Sequence, residues 1–212
     1  MKDEQGGVVL GRTMWRRFAV VMLPAVAAAG AIIFGMANGA IAASFSVSGS
    51  TFKVSADELD GDGFVQYGGL AVEKGGDATN LSDPKVHPVA ISGIKTVTSL
   101  TNLCQSVVVP GTSITLVIRA GNKGTPVTAT DLVIDMSQLQ GDATFTNISI
   151  GQDASDLTKG PAGAVGAAGG FGQQADHVVI KNLRQVAWST SAGTFVLNGL
   201  DLSLNVTKSE CF

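Results

Sequence analysis

His87 and His177 are the only imidazole bases in the 212-residue chain, so serine-hydrolase chemistry would have to pass through one of them. His177 follows Asp176, a carboxylate of the kind that orients an imidazole, and the pair is the catalytic candidate. Neighbours on a strand point to opposite faces, so a direct hydrogen bond between these two is disfavoured. The G-x-S-x-G turn that lifts a nucleophilic serine out of a sheet is absent. Its nearest relative, Gly111-Thr112-Ser113-Ile114-Thr115, lacks the last glycine and opens a strand instead. His87 precedes Pro88 and reads as a turn or edge-strand residue.

The acidic run Asp57-Glu58-Leu59-Asp60-Gly61-Asp62-Gly63 invites a calcium reading, because carboxylates on a glycine-containing turn can wrap a hard cation. Counted from Asp60, Asp62 falls at the third position, but Phe64 and Ala71 stand at the fifth and twelfth, where ligands belong. The run therefore reads as a solvated acidic turn. Neither it nor the widely spaced histidines and cysteines predicts a metal, and no phosphate or dinucleotide motif predicts another cofactor. Cys104 and Cys211 are the only cysteines. In an exported chain such a pair is expected to bond, closing a loop of 107 residues. The chain-entropy model assigns that closure on the order of 4–5 kcal/mol, and the bond would consume the thiolate a nucleophilic cysteine needs. The sequons at Asn80, Asn147 and Asn205 matter only in a host that glycosylates.

The segments that must carry these residues begin with an address. Arg12, Arg16 and Arg17 precede an uncharged run, residues 18–42, that closes on Ala40-Ile41-Ala42. This predicts an export signal cleaved after Ala42, with Ala43 as the second choice. The alternative is a retained membrane anchor, since 25 uncharged residues can span a bilayer, although Pro24 and three glycines weaken the helix. The Arg16-Arg17 pair matches the twin-arginine signal only weakly, because Phe18 follows it directly. In either case residues 43–212 form one domain outside the cytoplasm, secreted or in the cell envelope. The net charge is −3, and removal of residues 1–42 leaves 10 basic against 15 acidic side chains. With no basic patch beyond residue 17, nucleic acid is excluded as a partner.

After Ser44 the dominant pattern is alternation, clearest in Phe45-Ser46-Val47-Ser48, in Thr51-Phe52-Lys53-Val54-Ser55 and in Ser113-Ile114-Thr115-Leu116-Val117-Ile118-Arg119. Further short strands are predicted up to Phe195–Val206, separated by turn signals such as Gly75-Gly76-Asp77, Pro110-Gly111, Gly141-Asp142 and Asn198-Gly199. The fold class is all-β, a β-sandwich or barrel-like domain, with a short β-solenoid as the alternative. The solenoid rests on a weak similarity between Ala129–Ile134 and Ala175–Ile180 at an offset of 46. In Gly160–Gly172 six of thirteen residues are glycine, which predicts a flexible loop. That loop is either a solvated connection or a partner-contact loop with Phe171 at its tip.

Several strings carry a family resemblance: Arg16-Arg17-Phe18-Ala19-Val20-Val21, Ala43-Ser44-Phe45-Ser46-Val47-Ser48-Gly49, Asn102-Leu103-Cys104-Gln105-Ser106, Gly170-Phe171-Gly172-Gln173-Gln174-Ala175-Asp176 and Glu210-Cys211-Phe212. Together they resemble a family of uncharacterised exported proteins of filamentous actinobacteria. Some members carry the label cholesterol esterase, and a gene for a small multi-pass membrane protein often lies nearby. The resemblance implies a lipid or sterol ester hydrolase and a membrane-protein partner; no catalytic residue is carried over, because no serine elbow is present.

The residues themselves point to a non-catalytic envelope or extracellular β-domain, either a structural or self-assembling component or a carrier of an apolar, lipid-like ligand. A carrier predicts an apolar cavity and an assembling component predicts open strand edges. Cleavage after Ala42 predicts that mass spectrometry of the chain recovered outside its host cell finds Ala43 at the amino terminus and 170 residues; an intact mass including residues 1–42 would contradict it.

Overall fold

The structure is a computed structural model that describes residues 48–207 and 209–212, so Ala42, Ala43 and the export segment lie outside the described residues. Stretches rich in Val, Ile, Thr and Phe at period two form nine strands: β1 (Phe52–Val72), β2 (Val86–Thr101), β3 (Leu103–Val108), β4 (Thr115–Ala120), β5 (Val127–Thr146), β6 (Ser149–Asp153), β7 (Phe171–Ser191), β8 (Thr194–Val196) and β9 (Asp201–Asn205). Every pairing is antiparallel. The one helical piece among the described residues is a 3-10 turn, Ala154–Asp156, whose Ser155 N–H donates to the capping Asp153 carboxylate.

Strands β1, β2, β5 and β7 close a ring. Gly68 pairs with Ala90, Ala90 with Met136, Met136 with Ala187, and Ala187 returns to β1 at Phe52, a stagger of 16 residues from the starting point. With roughly 3.3 Å per residue along a strand and 4.8 Å between strands, that stagger tilts the strands by about 70° from the barrel axis, against a usual 35–45°. Steep tilt requires long strands, and these four run for 21, 16, 20 and 21 residues. It also gives four strands the girth of a wider barrel, which side chains must fill.

Nineteen buried apolar residues do so, with Phe64, Val97, Met136 and Val178 among the most enclosed. Ala56, Ala129, Ala175 and Ala187 let opposite walls approach, and the Phe64 ring lies 5.2 Å from that of Phe145. Strands this long cannot stay straight. Register shifts at Asp60/Gly61, Val97/Leu100 and Gln140/Asp142 bend them, and Asn102, Asp131, Asn147 and Asn182 take up left-handed backbone at kinks.

The barrel reading therefore holds and the solenoid does not, because the chain closes on itself instead of stacking. Three local expectations are corrected. The acidic run Asp57–Gly63 is no turn but the middle of β1, and Gly141-Asp142 is a bulge inside β5, not a turn between strands. Glycine and Asp accept the irregular backbone of a bulge as readily as that of a turn, so their presence alone does not end a strand. The glycine-rich loop is not simply a solvated connection. Pro161 and Ala164 are buried, and Ala164 packs with Val65, Tyr67 and Leu157 on the outside of the ring. Glycines on both sides of the contact permit this approach: a Cβ at Gly160 of the loop would stand 2.4 Å from Val65, and one at Gly93 of β2 would stand 2.9 Å from Pro161.

Strand β6 edges β7 and β8 edges β5, while β3, β4 and β9 leave the ring as a flap. Lys53–Ser55 of β1 pair with β3, β3 pairs with β4, and β4 with β9, whose other edge is free among the described residues. Because Phe64 fills the ring while Leu204 of β9 is 66% exposed, Phe64→Ala is expected to cost about 3–5 kcal/mol and Leu204→Ala less than about 0.5 kcal/mol. Urea midpoints of the two variants measure the difference, and similar losses would contradict the placement of Phe64.

Candidate functional site

Asp176 and His177 separate as adjacent strand residues must. Asp176 binds the Lys159 ammonium at 2.6 Å and accepts from the Asn147 side chain at 2.7 Å, and these bonds hold its carboxyl below the ordinary carboxylate range. His177 Nε2 lies instead 3.1 Å from Oδ1 of Asp60 on β1, the same oxygen that accepts the Thr98 hydroxyl at 2.7 Å. The order matters chemically. In a hydrolytic triad the imidazole stands between acid and hydroxyl; here the carboxylate stands between imidazole and hydroxyl, so His177 has no path to the Thr98 proton. The Thr98 bond does most to lower the Asp60 pKa, partial burial opposes it, and His177 adds a smaller lowering.

His87 sits at the far end of β2, where its Nε2 is 2.9 Å from Glu73 Oε1 and its ring stacks on Trp188 at 3.9 Å. No hydroxyl bonds it among the described side-chain hydrogen bonds. The acidic run, lying on a strand, sends its carboxylates apart: Asp57 to the Asn102 amide, Glu58 toward Lys181, Asp60 to His177. Among the described residues no three His, Cys, Asp or Glu side chains converge as metal ligands do. Phe171 is 61% exposed, but it opens β7, paired with Asp153, and is not at the tip of the loop. Asn80 lies in the exposed turn between β1 and β2, Asn147 at the β5–β6 kink and Asn205 at the end of β9.

Cys104 and Cys211 are bonded, with Cα atoms 5.8 Å apart. The bond locks the tail that follows β9 across one face of the flap. Ser106 and Thr115, both essentially without solvent exposure, bond that tail: the Thr115 hydroxyl donates to the Thr207 carbonyl and accepts from the Ser209 N–H, and the Cys211 N–H donates to Ser106 Oγ at 3.0 Å. Lys53 bridges to Glu210 at 3.2 Å and reaches the Phe212 carbonyl at 2.9 Å. The covered face of the flap thereby holds these hydroxyls, with Val117 buried between them and opposite Ser106.

Its other face is aliphatic and open. Register places Val107, Leu116 and Leu204 in one row and Gln105, Ile118 and Leu202 in the next. Leu202 and Leu204, on one side of β9 by alternation, are 58% and 66% exposed, and Leu200 and Val206, which flank the strand, are 54% and 81% exposed. Where this face meets the ring there is an apolar cavity of about 30 Å³, walled by Val54, Leu103, Leu132, Ile134 and Phe195. It suits a water molecule or two and falls far short of the several hundred Å³ that a lipid-sized ligand occupies. Sequence reasoning found these strands but not their sidedness; the one available signal was four apolar residues at period two, Leu200 to Val206, beside a strand whose alternate residues are Thr115 and Arg119.

A family described only as one of unknown function, DUF6230, matches the chain over residues 48–212. No curated protein and no solved structure matches it.

Asp60 supplies a pH prediction. A carboxyl whose folded-state pKa is depressed contributes stability above its unfolded pKa and loses it as the pH falls through the folded value. Asp60→Asn is therefore expected to lower the urea midpoint at pH 7, with the gap to wild type shrinking below about pH 4; a gap independent of pH would contradict the assignment.

Proposed function

We propose, from the premise that the chain belongs to the DUF6230 family of unknown function, that it is an exported, non-catalytic β-domain of the cell envelope or extracellular space that works through surface contacts. The observation that carries this reading is the aliphatic face of the flap, turned outward on a ring whose interior is filled. A structural or assembly role is favoured over carriage of a lipid inside the fold, since the apolar cavity holds about 30 Å³ and the roomier recess of about 170 Å³ beside Asp57, Asn102 and Arg184 is polar. Export is supported by the arginines and apolar run of residues 12–42 and by the Cys104–Cys211 bond, because disulfides persist in oxidising compartments. That His87 and His177 are each engaged with a carboxylate, and neither with a hydroxyl nucleophile, supports the absence of ester hydrolysis.

The test is turnover of p-nitrophenyl butyrate and of a cholesteryl ester by the protein purified from its host. The expected rate equals that of buffer for wild type and His177→Ala alike. Turnover that disappears in His177→Ala, with the circular dichroism unchanged, would contradict this reading and establish a lipid or sterol ester hydrolase.

A further inference from the structure

The flap is an amphipathic sheet built inside out, with hydroxyls under the tail and leucines toward solvent. From this we infer that its aliphatic face is the interface for a second copy of this chain, the two flaps packing face to face; the inference rests on the surface-contact reading above.

Area is the first argument. Val109, Ile114 and the four apolar residues of Leu200–Val206 are between 37% and 81% exposed. Together they present on the order of 500 Å², near the upper end for the largest apolar patch of a monomer, and two copies would bury about 1,000 Å², the lower bound for a specific interface. Composition is the second. A two-fold interface must be complementary to itself, and a face of aliphatic side chains with the uncharged Gln105 in one row satisfies that without matching charges. The charged residues of these strands, Arg119 and Asp201, pair with each other in register on the opposite, tail-covered side. No ion would therefore be desolvated on association, in keeping with the depletion of charge at interface centres.

The same features disfavour a membrane as the occupant. Among the described residues the aliphatic face carries no Trp, Tyr, Lys or Arg to engage headgroups, and a chain of net charge −3 is repelled by anionic lipid. The free edge of β9 adjoins the face and bears no Lys, Pro or bulge of the kind that blocks association.

The test is native mass spectrometry and sedimentation equilibrium of the protein from its host in detergent-free buffer. The expected result is a concentration-dependent dimer, weakened about 100-fold or more by Leu202→Glu with Leu204→Glu. Mixing that variant with Leu202→Lys/Leu204→Lys should restore a mixed dimer. Hydrogen exchange at residues 200–206 of the wild type should slow as protein concentration rises, a readout that needs no substitution. A wild type that stays monomeric at about 100 μM, a dimer indifferent to the substitutions, or exchange independent of concentration would overturn the proposal. A monomer carrying a lipid-sized mass that the Glu variant loses would overturn the second copy and leave the surface-contact reading standing. Ester turnover dependent on His177 would instead overturn that reading.

Discussion

Closure of four strands with a 16-residue stagger is the constraint on which the rest of the domain depends. A ring of so few strands can close only if each strand winds far around the axis, so length, bulges and left-handed Asn and Asp kinks are consequences of closure. The widened interior then needs large side chains such as Phe64 and Met136, with alanines where walls approach. The glycine-rich loop seals the outside over Val65 and Tyr67, where burial raises the Tyr67 pKa and the nearby Asp135 charge raises it further. Asp153 ties that loop down, accepting from the Ser155 and Gly169 N–H groups, which keep its carboxyl below the ordinary range.

Fold class was legible because alternation is a local property: within each run between bulges of β1, β2, β5 or β7, alternate residues face the same side, as Val54 and Ala56 do, and the sequence carries that period over such runs. Strand length was not. Asp57–Gly63 and Gly141-Asp142 contain the residues that make turns, and only pairing with distant partners decides that the chain runs on through them. The cysteine pair was legible for the opposite reason, since two cysteines leave one intramolecular pairing. The partners of the histidines were not, because Asp60 and His177 are 117 residues apart and register alone brings them together.

The flap is where sequence and structure part most. Ser113–Arg119 reads as an alternating strand, and the side it buries is that of Thr115 and Val117 while Ile114 is exposed. The cause is the tail, which supplies polar backbone groups for Ser106 and Thr115 and is held by the disulfide and by Lys53. Burying hydroxyls is tolerable only when each finds a partner, and here backbone groups of Thr207, Ser209 and Cys211 provide them. One face thus satisfied, the other is left with its leucines toward solvent, an arrangement that favours function by association over function by catalysis.

Long-range NOEs in solution read this sidedness without any substitution. Contacts from the Thr115 methyl to Thr207 and Ser209, and from the Cys211 amide to Ser106, are expected, with none from the Leu202 or Leu204 methyls to Phe64, Leu132 or other ring residues. Leu204 methyl contacts into the ring, together with a solvent-exposed Thr115, would show that the flap is folded the other way round and would remove the ground for an outward-facing interface.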